Sequence, residues 1–381
     1  GESFTRFNRR GQKVLVSTRD GMGSQSELMY KPIPFFLSSN GYGMFVHTSA
    51  PLTFDFGKFY DAHNVIYSGD ENLDLFVFLG EPKEIVSEYT ALTGRSPVPP
   101  LWSFGFWMSR ITYNSEDQVR QVAQQLRSHK VPTDVIHLDT GWFETDWRSD
   151  YRFSSSRFRD PAKMIADLKQ QGFHISLWQY TYFTSKNDLW KEMVAKGYHV
   201  KNEGGQLPSE DATLDLTNPE AVKWYQNKVI DLLKLGVGAI KIDFGEQAPL
   251  TGQYASGMSG WYEHNLYPLR YNKIVGDITK ATTGEAFLVE KCPPGHVEWH
   301  FCARAGYEKP SDREDNDRPH NARRARLTAR VHVAFEANVC AVDVHGLHLQ
   351  MDAARLAPHA LAAQVGNLAG GYRADLRGFD R

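Results

Sequence analysis

Between residues 101 and 289, short apolar runs alternate with longer amphipathic runs, and this alternation is the feature that most constrains the fold. The apolar runs have the length and composition of buried strands, and the amphipathic runs end at glycines in the manner of helices. Parallel strands need a crossover connection, so this rhythm favours parallel βα units and an α/β fold. The predicted strands are 102–108, 134–139, 174–178, 237–243 and 286–289, and the predicted helices are 116–129, 161–171, 188–196, 219–235 and 266–279.

The loops that follow the predicted strands are long, which is typical of a (β/α)8 TIM barrel. About five strand–helix units occupy residues 101–288, so the predicted barrel is incomplete. Residues 1–92 lack this rhythm. They contain short alternating strands and an Asn40-Gly41 hairpin turn, which predicts a partial N-terminal β-sandwich, a remnant that begins within its domain. The proline-rich stretch 93–100 is the predicted linker.

Residues 289–381 break the pattern. No isoleucine follows Leu288, all three cysteines and seven of the fourteen histidines follow Glu290, and arginines crowd residues 323–330. The remaining strands of a barrel should be rich in branched apolar residues. We therefore interpret this segment as an aberrant or divergent remainder of the barrel. Two explanations stay open: a divergent α-rich tail, or a reading-frame or assembly error in the gene.

The most informative local motif is KIDFGE, at residues 241–246. It ends an apolar strand with Asp243, and the chemistry of parallel α/β barrels lies at the carboxyl ends of the strands. Lys241 lies two residues earlier on the same strand face, where its charge would favour an ionised carboxylate. Asp243 is therefore a candidate nucleophile, with a structural ion pair at a strand end as the alternative.

Bulk properties exclude several other functions. The net charge of −2 does not suit a nucleic-acid-binding protein, and no apolar run is long enough to span a membrane. Three cysteines provide neither a disulfide framework nor a metal-binding spacing, and there is no phosphate-binding loop. We therefore expect no cofactor and no metal. The sequence does not indicate a compartment or an oligomeric state.

Several stretches together resemble glycoside hydrolase family 31, the retaining α-glucosidases and α-xylosidases. The resemblance covers roughly residues 1–288 and rests on motifs that occur in the family's order. Besides KIDFGE, these are IPFF at 33–36, GYG at 41–43, WSFGFW at 102–107, HLDTGWF at 137–143 and YEHNLYPLRYN at 262–272.

The resemblance implies roles for individual residues. Asp243 would form a covalent glycosyl-enzyme with retention of configuration. Asp139 would accept hydrogen bonds from sugar hydroxyls, Trp142 and Trp178 would form walls of the sugar pocket, and Arg110 and Lys241 would also line it. The family's acid/base aspartate has no matching motif in the tail, so Asp312 is the candidate by position along the chain alone.

The expected activity is hydrolysis of a terminal α-linked sugar, an α-xyloside or an α-glucoside. The expected partner is therefore an oligosaccharide or a small glycoside. Two alternatives remain open: an α-transglycosylase that uses the same carboxylates, and a catalytically silent carbohydrate-binding barrel, which the missing acid motif suggests.

Overall fold

A computed structural model describes residues 7–19, 28–29, 32–145, 147–208 and 211–285. Beyond residue 285 it describes only the backbone of a few strands, within 289–365. The chain divides into two compact units, residues 1–95 with 303–381, and residues 96–302.

The N-terminal part of the first unit consists of six strands and one helix. They are β1 (Lys13–Val16), β2 (Phe35–Ser38), β3 (Tyr42–Val46), β4 (Leu52–Phe56), β5 (Asn64–Ser68), β6 (Leu73–Leu79) and α1 (Pro82–Thr93). Strand β4 pairs antiparallel with β1 and β5, and β3 pairs antiparallel with β2 and β6. The predicted turn joins β2 to β3, where Gly41 has a φ of 80°, a conformation that glycine adopts without strain.

The two sheets of this unit pack face to face. One buried cluster combines side chains of β1, β4 and β5 with side chains of β3 and β6. The other face of the β3–β6 sheet is covered by α1 through Ile85 and Tyr89. The helix lies so close to β3 that a Cβ added at Gly43 would lie 2.5 Å from Ile85 Cγ2. Alternating side chains of the strands thus form a sandwich with one helix on its outer face.

The second unit contains seven strands and five helices in the part of the chain that is described. The strands are β7 (Trp107–Arg110), β8 (Val135–Leu138), β9 (His174–Tyr180), β10 (Tyr182–Phe183), β11 (Ala212–Thr213), β12 (Ala239–Asp243) and β13 (Val289–Glu290). The helices are α2 (Glu116–Ser128), α3 (Pro161–Gln170), α4 (Asp188–Ala195), α5 (Pro219–Lys234) and α6 (Gly260–Thr283).

The main sheet of this unit is parallel, with the order β7-β8-β9-β12-β13, which is also the order along the chain. The predicted βα alternation is therefore confirmed. Four of the helices begin where the side chain of Ser115, Asp160, Asn187 or Asn218 accepts a backbone N–H of the first turn. All five strands point their carboxyl ends toward one edge, which is where the predicted site residues follow the strands.

The first barrel strand begins five residues later than predicted. Residues Leu101–Phe104 form a 3-10 turn instead, in which the Ser103 hydroxyl donates to the Pro100 carbonyl at 2.6 Å. Gly105 then passes Asp134 so closely that an added Cβ would lie 1.8 Å from the carboxylate. An aromatic run that suggests a strand is therefore partly a turn, fixed by local hydrogen bonds and close packing.

Strand β9 continues two residues beyond its predicted end at Trp178. The polar Gln179 is inside because three tyrosine hydroxyls, of Tyr151, Tyr225 and Tyr271, donate to its side-chain oxygen at 2.8–3.1 Å. A buried amide oxygen is tolerated when it is hydrogen-bonded, and these partners come from distant parts of the chain. Helix α6 likewise begins six residues before its predicted start, at Gly260.

Three strands lie within residues 289–381 beyond β13: β14 (Ala325–Glu336), β15 (Val339–Met351) and β16 (Leu361–Val365). They pair antiparallel in the first unit, β15 with β14 and β5, and β16 with β6. The described stretches of this tail are strands, in contrast to the α-rich alternative. Our assignment of 289–381 to the barrel, like the other predicted domain limits, stays a prediction.

Candidate active site

Asp243 is the last residue of β12, at the carboxyl edge of the parallel sheet. Its side chain is 6% exposed. The next residue, Phe244, has a φ of 63°, in the left-handed region that bulky residues rarely adopt. The Tyr182 hydroxyl donates to the Phe244 carbonyl, and the Phe244 ring lies edge-on to Trp178. The chain thus turns sharply after Asp243 and is held there by side chains from β9 and β10.

Both carboxylate oxygens of Asp243 accept hydrogen bonds. Oδ2 accepts from the Trp178 indole Nε1 at 2.6 Å and lies 3.5 Å from the Lys241 Nζ, and Oδ1 accepts from the Phe244 backbone N–H at 3.0 Å. Two hydrogen-bond donors and a neighbouring cation fix the orientation of this carboxylate. The structure therefore brings Lys241 and Trp178 together with Asp243.

Lys241 also joins Asp243 to a second carboxylate. Its Nζ donates to Asp139 Oδ2 at 3.3 Å, and the Asp139 and Lys241 side chains are each 19% exposed. Asp139 follows β8, and its Oδ1 accepts from the Thr140 backbone N–H at 3.1 Å. Burial alone would raise the pKa of Asp139, but the hydrogen bond from His137 and the charge of Lys241 outweigh it and hold the pKa below its ordinary value.

His137 completes this chain of contacts and is the residue that sequence reasoning missed. Its Nε2 lies 3.0 Å from Asp139 Oδ2 and its Nδ1 lies 2.9 Å from the Ser176 Oγ. Burial lowers the pKa of His137, and the neighbouring Lys241 charge lowers it further, against the opposing effect of Asp139. A signal was present in the sequence, because His137 precedes Asp139 by two residues on a strand, as Lys241 precedes Asp243.

The two predicted tryptophans are buried, and a hydrogen bond joins them. Trp142 and Trp178 are each 1% exposed, and the Trp142 Nε1 donates to the Trp178 backbone carbonyl at 2.8 Å. Trp147, which the sequence did not single out, is 50% exposed, with its ring 5.5 Å from that of Trp178. Its φ of 65° is again in the left-handed region, and the Tyr180 hydroxyl donates to its carbonyl. Trp147 is thus an exposed aromatic ring beside Trp178.

For two other predicted residues the structure describes no contact with this cluster. Arg110 ends β7, and in the described contacts its guanidinium lies 5.1 Å from the centre of the Tyr113 ring rather than against a carboxylate. Asp312, the candidate acid, lies outside the described residues. The roles predicted for both, and for Trp142 and Trp178 as pocket walls, stay predictions.

Among the residues that the structure describes, no three His, Cys, Asp or Glu side chains are grouped so that they could hold a metal ion. In the same part of the chain, no helix combines the length and the apolar character needed to cross a membrane. In the described residues, the cluster contains the carboxylates of Asp139 and Asp243, Lys241, His137 and neighbouring aromatic rings.

Comparison with known proteins identifies the two parts of the chain. Residues 96–295 match the model of the glycosyl hydrolases family 31 TIM-barrel domain. Residues 1–55 match the glycosyl hydrolase 31 N-terminal galactose mutarotase-like domain. The parallel sheet of the second unit is thus the first part of a TIM barrel, and the barrel is incomplete in the described residues.

Two relatives, one from a bacterium and one from a fungus, support the same assignment. The chain is 37% identical over 295 residues to the alpha-xylosidase XylQ of Lactiplantibacillus pentosus, a match that covers 74% of this chain and 38% of the relative. It is 34% identical over 297 residues to an alpha-xylosidase of Emericella nidulans, covering 75% and 38%. The chain therefore spans well under half the length of these relatives.

Among solved structures, the Flavobacterium johnsoniae family 31 dextranase in complex with glucose superposes with a TM-score of 0.69 at 27% identity. The match covers 80% of this chain and 39% of the dextranase. Two family models in the expected order, relatives above 30% identity and a similar backbone all agree with the motifs. The chain belongs to glycoside hydrolase family 31.

Proposed function

We propose that this chain carries the catalytic nucleophile of a retaining α-glycoside hydrolase that removes a terminal α-linked sugar. The observation that carries the proposal is the geometry of Asp243, a carboxylate at the carboxyl edge of the barrel sheet, held by the Trp178 indole at 2.6 Å and paired with Lys241 at 3.5 Å. Fixed donors hold a nucleophile in its reactive orientation before the substrate arrives.

In the first step, a carboxylate oxygen of Asp243 attacks the anomeric carbon and forms a C–O bond as the glycosidic C–O bond breaks. The leaving oxygen takes a proton from a general acid. In the second step water attacks the same carbon, releases Asp243 and returns the proton to the acid, so two inversions give net retention. The contacts to Trp178 and Lys241 hold the carboxylate as its negative charge is consumed and restored.

Asp139 supplies binding rather than acid catalysis in this proposal. His137 and Lys241 hold its pKa below the ordinary value, so it is ionised at neutral pH and has no proton to donate. An ionised carboxylate is a strong acceptor for sugar hydroxyls. The general acid therefore comes from another residue, for which Asp312 is our prediction from the sequence.

The proposed substrates are small α-xylosides and α-glucosides. The two relatives reported above are named alpha-xylosidases, and the exposed Trp147 ring beside Trp178 offers a flat apolar face of the kind on which sugar rings stack. Of the two sugars, the relatives favour the α-xyloside.

The test is turnover of aryl α-xylosides and α-glucosides with good leaving groups, which need little help from an acid. We expect release of the phenol, and a first-formed sugar with the α configuration by proton NMR. A β product would contradict the retaining mechanism. Sugar binding without phenol release would favour the silent binding barrel, and transfer to an added sugar acceptor in preference to water would favour a transglycosylase.

A further inference from the structure

We propose that His137 is a positioning residue that orients Asp139 to receive a sugar hydroxyl, and that the Ser176 hydroxyl stabilises the tautomer in which it does so. This inference rests on the proposed function of the site and assigns a role to two residues that the reaction scheme does not use. Both are buried, with His137 6% exposed and Ser176 fully buried.

The partners fix the tautomer of His137. Its Nε2 lies 3.0 Å from Asp139 Oδ2, and an ionised carboxylate can only accept, so Nε2 carries the proton and donates. In a neutral imidazole the other nitrogen is then an acceptor, and the Ser176 hydroxyl, 2.9 Å away, donates to Nδ1. Thus the direction of every hydrogen bond from Ser176 to Asp139 is determined.

The sheet itself sets this geometry. His137 and Ser176 are direct partners across the parallel pair β8–β9, so their side chains extend from the same face of neighbouring strands. Asp139 lies two residues beyond His137, and Lys241 reaches the same carboxylate from β12. Three adjacent strands therefore contribute side chains to these contacts. Because each side chain is held by its neighbours, it cannot rotate as a single surface side chain would.

The contacts leave Asp139 one free direction. His137 and Lys241 donate to Oδ2, and the Thr140 backbone N–H donates to Oδ1. A carboxylate offers about four acceptor positions, so roughly one remains, on Oδ1. The ligand that this arrangement fits is a single hydroxyl donor, as on a pyranose ring. Without His137 the carboxylate could rotate toward Lys241, and the remaining acceptor position would lose its direction.

Two amide substitutions separate the two contacts of the imidazole. In His137→Gln the side-chain nitrogen occupies the place of Nε2 and can still donate to Asp139, whereas the contact with Ser176 is lost. In His137→Asn the amide occupies the place of Nδ1, so the Ser176 contact survives and the Asp139 contact is lost. The two variants are similar in polarity. Thermal unfolding of each variant is the control that checks whether it is folded.

We expect His137→Asn to weaken D-xylose or D-glucose binding and to lower kcat/KM for an aryl α-glycoside by about 10- to 100-fold, the usual effect of losing a hydrogen bond to a charged group. We expect His137→Gln to stay within about 3-fold of the wild type, and Ser176→Ala to lie between them, on the same scale. If His137 were purely structural, both amide variants would lose sugar binding and kcat/KM equally, in proportion to their loss of stability.

Nitrogen-15 NMR of histidine-labelled protein tests the tautomer directly. We expect His137 to be neutral, with the proton on Nε2, and Ser176→Ala to add a fraction of the other tautomer. A resting state with the proton on Nδ1 would overturn the inference. Equal losses in the two amide variants of an active protein would overturn it too, while leaving the proposed function intact. A wild-type protein that neither binds sugar nor turns it over would overturn both.

Discussion

The hydrogen bond between Trp178 and Asp243 is the contact on which the geometry of the site most depends, and a double-mutant cycle measures it. Trp178→Phe removes the indole N–H that donates to Asp243 Oδ2 at 2.6 Å, and Asp243→Leu replaces the acceptor by an apolar side chain of similar shape. Trp178→Phe takes one donor from Asp243, which keeps its contacts with Lys241 and the Phe244 N–H, and Asp243→Leu leaves the Trp178 indole N–H without its acceptor. The double variant removes both groups of this contact.

The expected coupling follows from the contact. A hydrogen bond to a charged group contributes about 1.5–3 kcal/mol, and the indole N–H left without its acceptor adds to the cost of Asp243→Leu. We therefore expect the double variant to be less destabilised than the sum of the single variants by about 1.5–3 kcal/mol. The cavity left by the smaller ring is present in both arms of the cycle, so it cancels.

The assay is urea denaturation followed by circular dichroism. Trp142→Phe combined with Asp243→Leu is the matched control, because Trp142 is equally buried but donates to the Trp178 carbonyl and not to Asp243. The effects of Trp142→Phe and Asp243→Leu on the free energy of unfolding should be additive within about 0.5 kcal/mol. A coupling of the Trp178 pair no larger than that of the control would refute the idea that the indole holds the carboxylate.

Four further results are expected. Asp243→Asn should lower kcat for an aryl α-glycoside by about 10⁴-fold or more with the fold retained by circular dichroism, because an amide is a poor nucleophile. Lys241→Met should lower the free energy of unfolding in urea by about 1–3 kcal/mol, because it leaves Asp139 and Asp243 as neighbouring charges without the cation between them. Phe244→Val should cost about 1–2 kcal/mol more than Phe244→Leu in the same assay, since a branched side chain is strained at its φ of 63°. Acidification below the ordinary histidine pKa of 6.5 should destabilise the protein, because the unfolded chain takes up a proton that buried His137 does not. His137 contributes a slope of at most about 1.4 kcal/mol per pH unit, and urea titrations of His137→Gln should show a slope smaller by that contribution, since burial also lowers the pKa of His174 and His199.

The sequence predicts most of what positions Asp243. Strand β12, the helices on either side and the pairing with Lys241 all follow from local pattern, since apolar runs, capping residues and a spacing of two are local properties. Motif order then extends the prediction to the family. Residues 101–285 are therefore predictable in outline because their information is contained in short windows of sequence.

The parts that could not be predicted depend on contacts between distant residues. Gln179 continues β9 because three tyrosines from separate elements bond its amide, and Trp178 is recognisable as a donor to Asp243 only once β9 and β12 are adjacent. The left-handed conformation at Phe244 is not indicated by the sequence, because this position holds neither a glycine nor an asparagine. Buried polar networks and strained turns are tertiary effects, and no local pattern encodes them.

The central claim is that Asp243 forms a covalent bond to the sugar, and trapping that adduct is its most direct test. The protein is incubated with a 5-fluoro α-xylosyl or α-glucosyl fluoride, which forms the intermediate faster than water releases it, and is then digested for peptide mass mapping. We expect one added glycosyl group, on the peptide that contains Asp243 and at Asp243 itself, and none in Asp243→Asn. A label on any other carboxylate, or turnover that persists in Asp243→Asn, would contradict it.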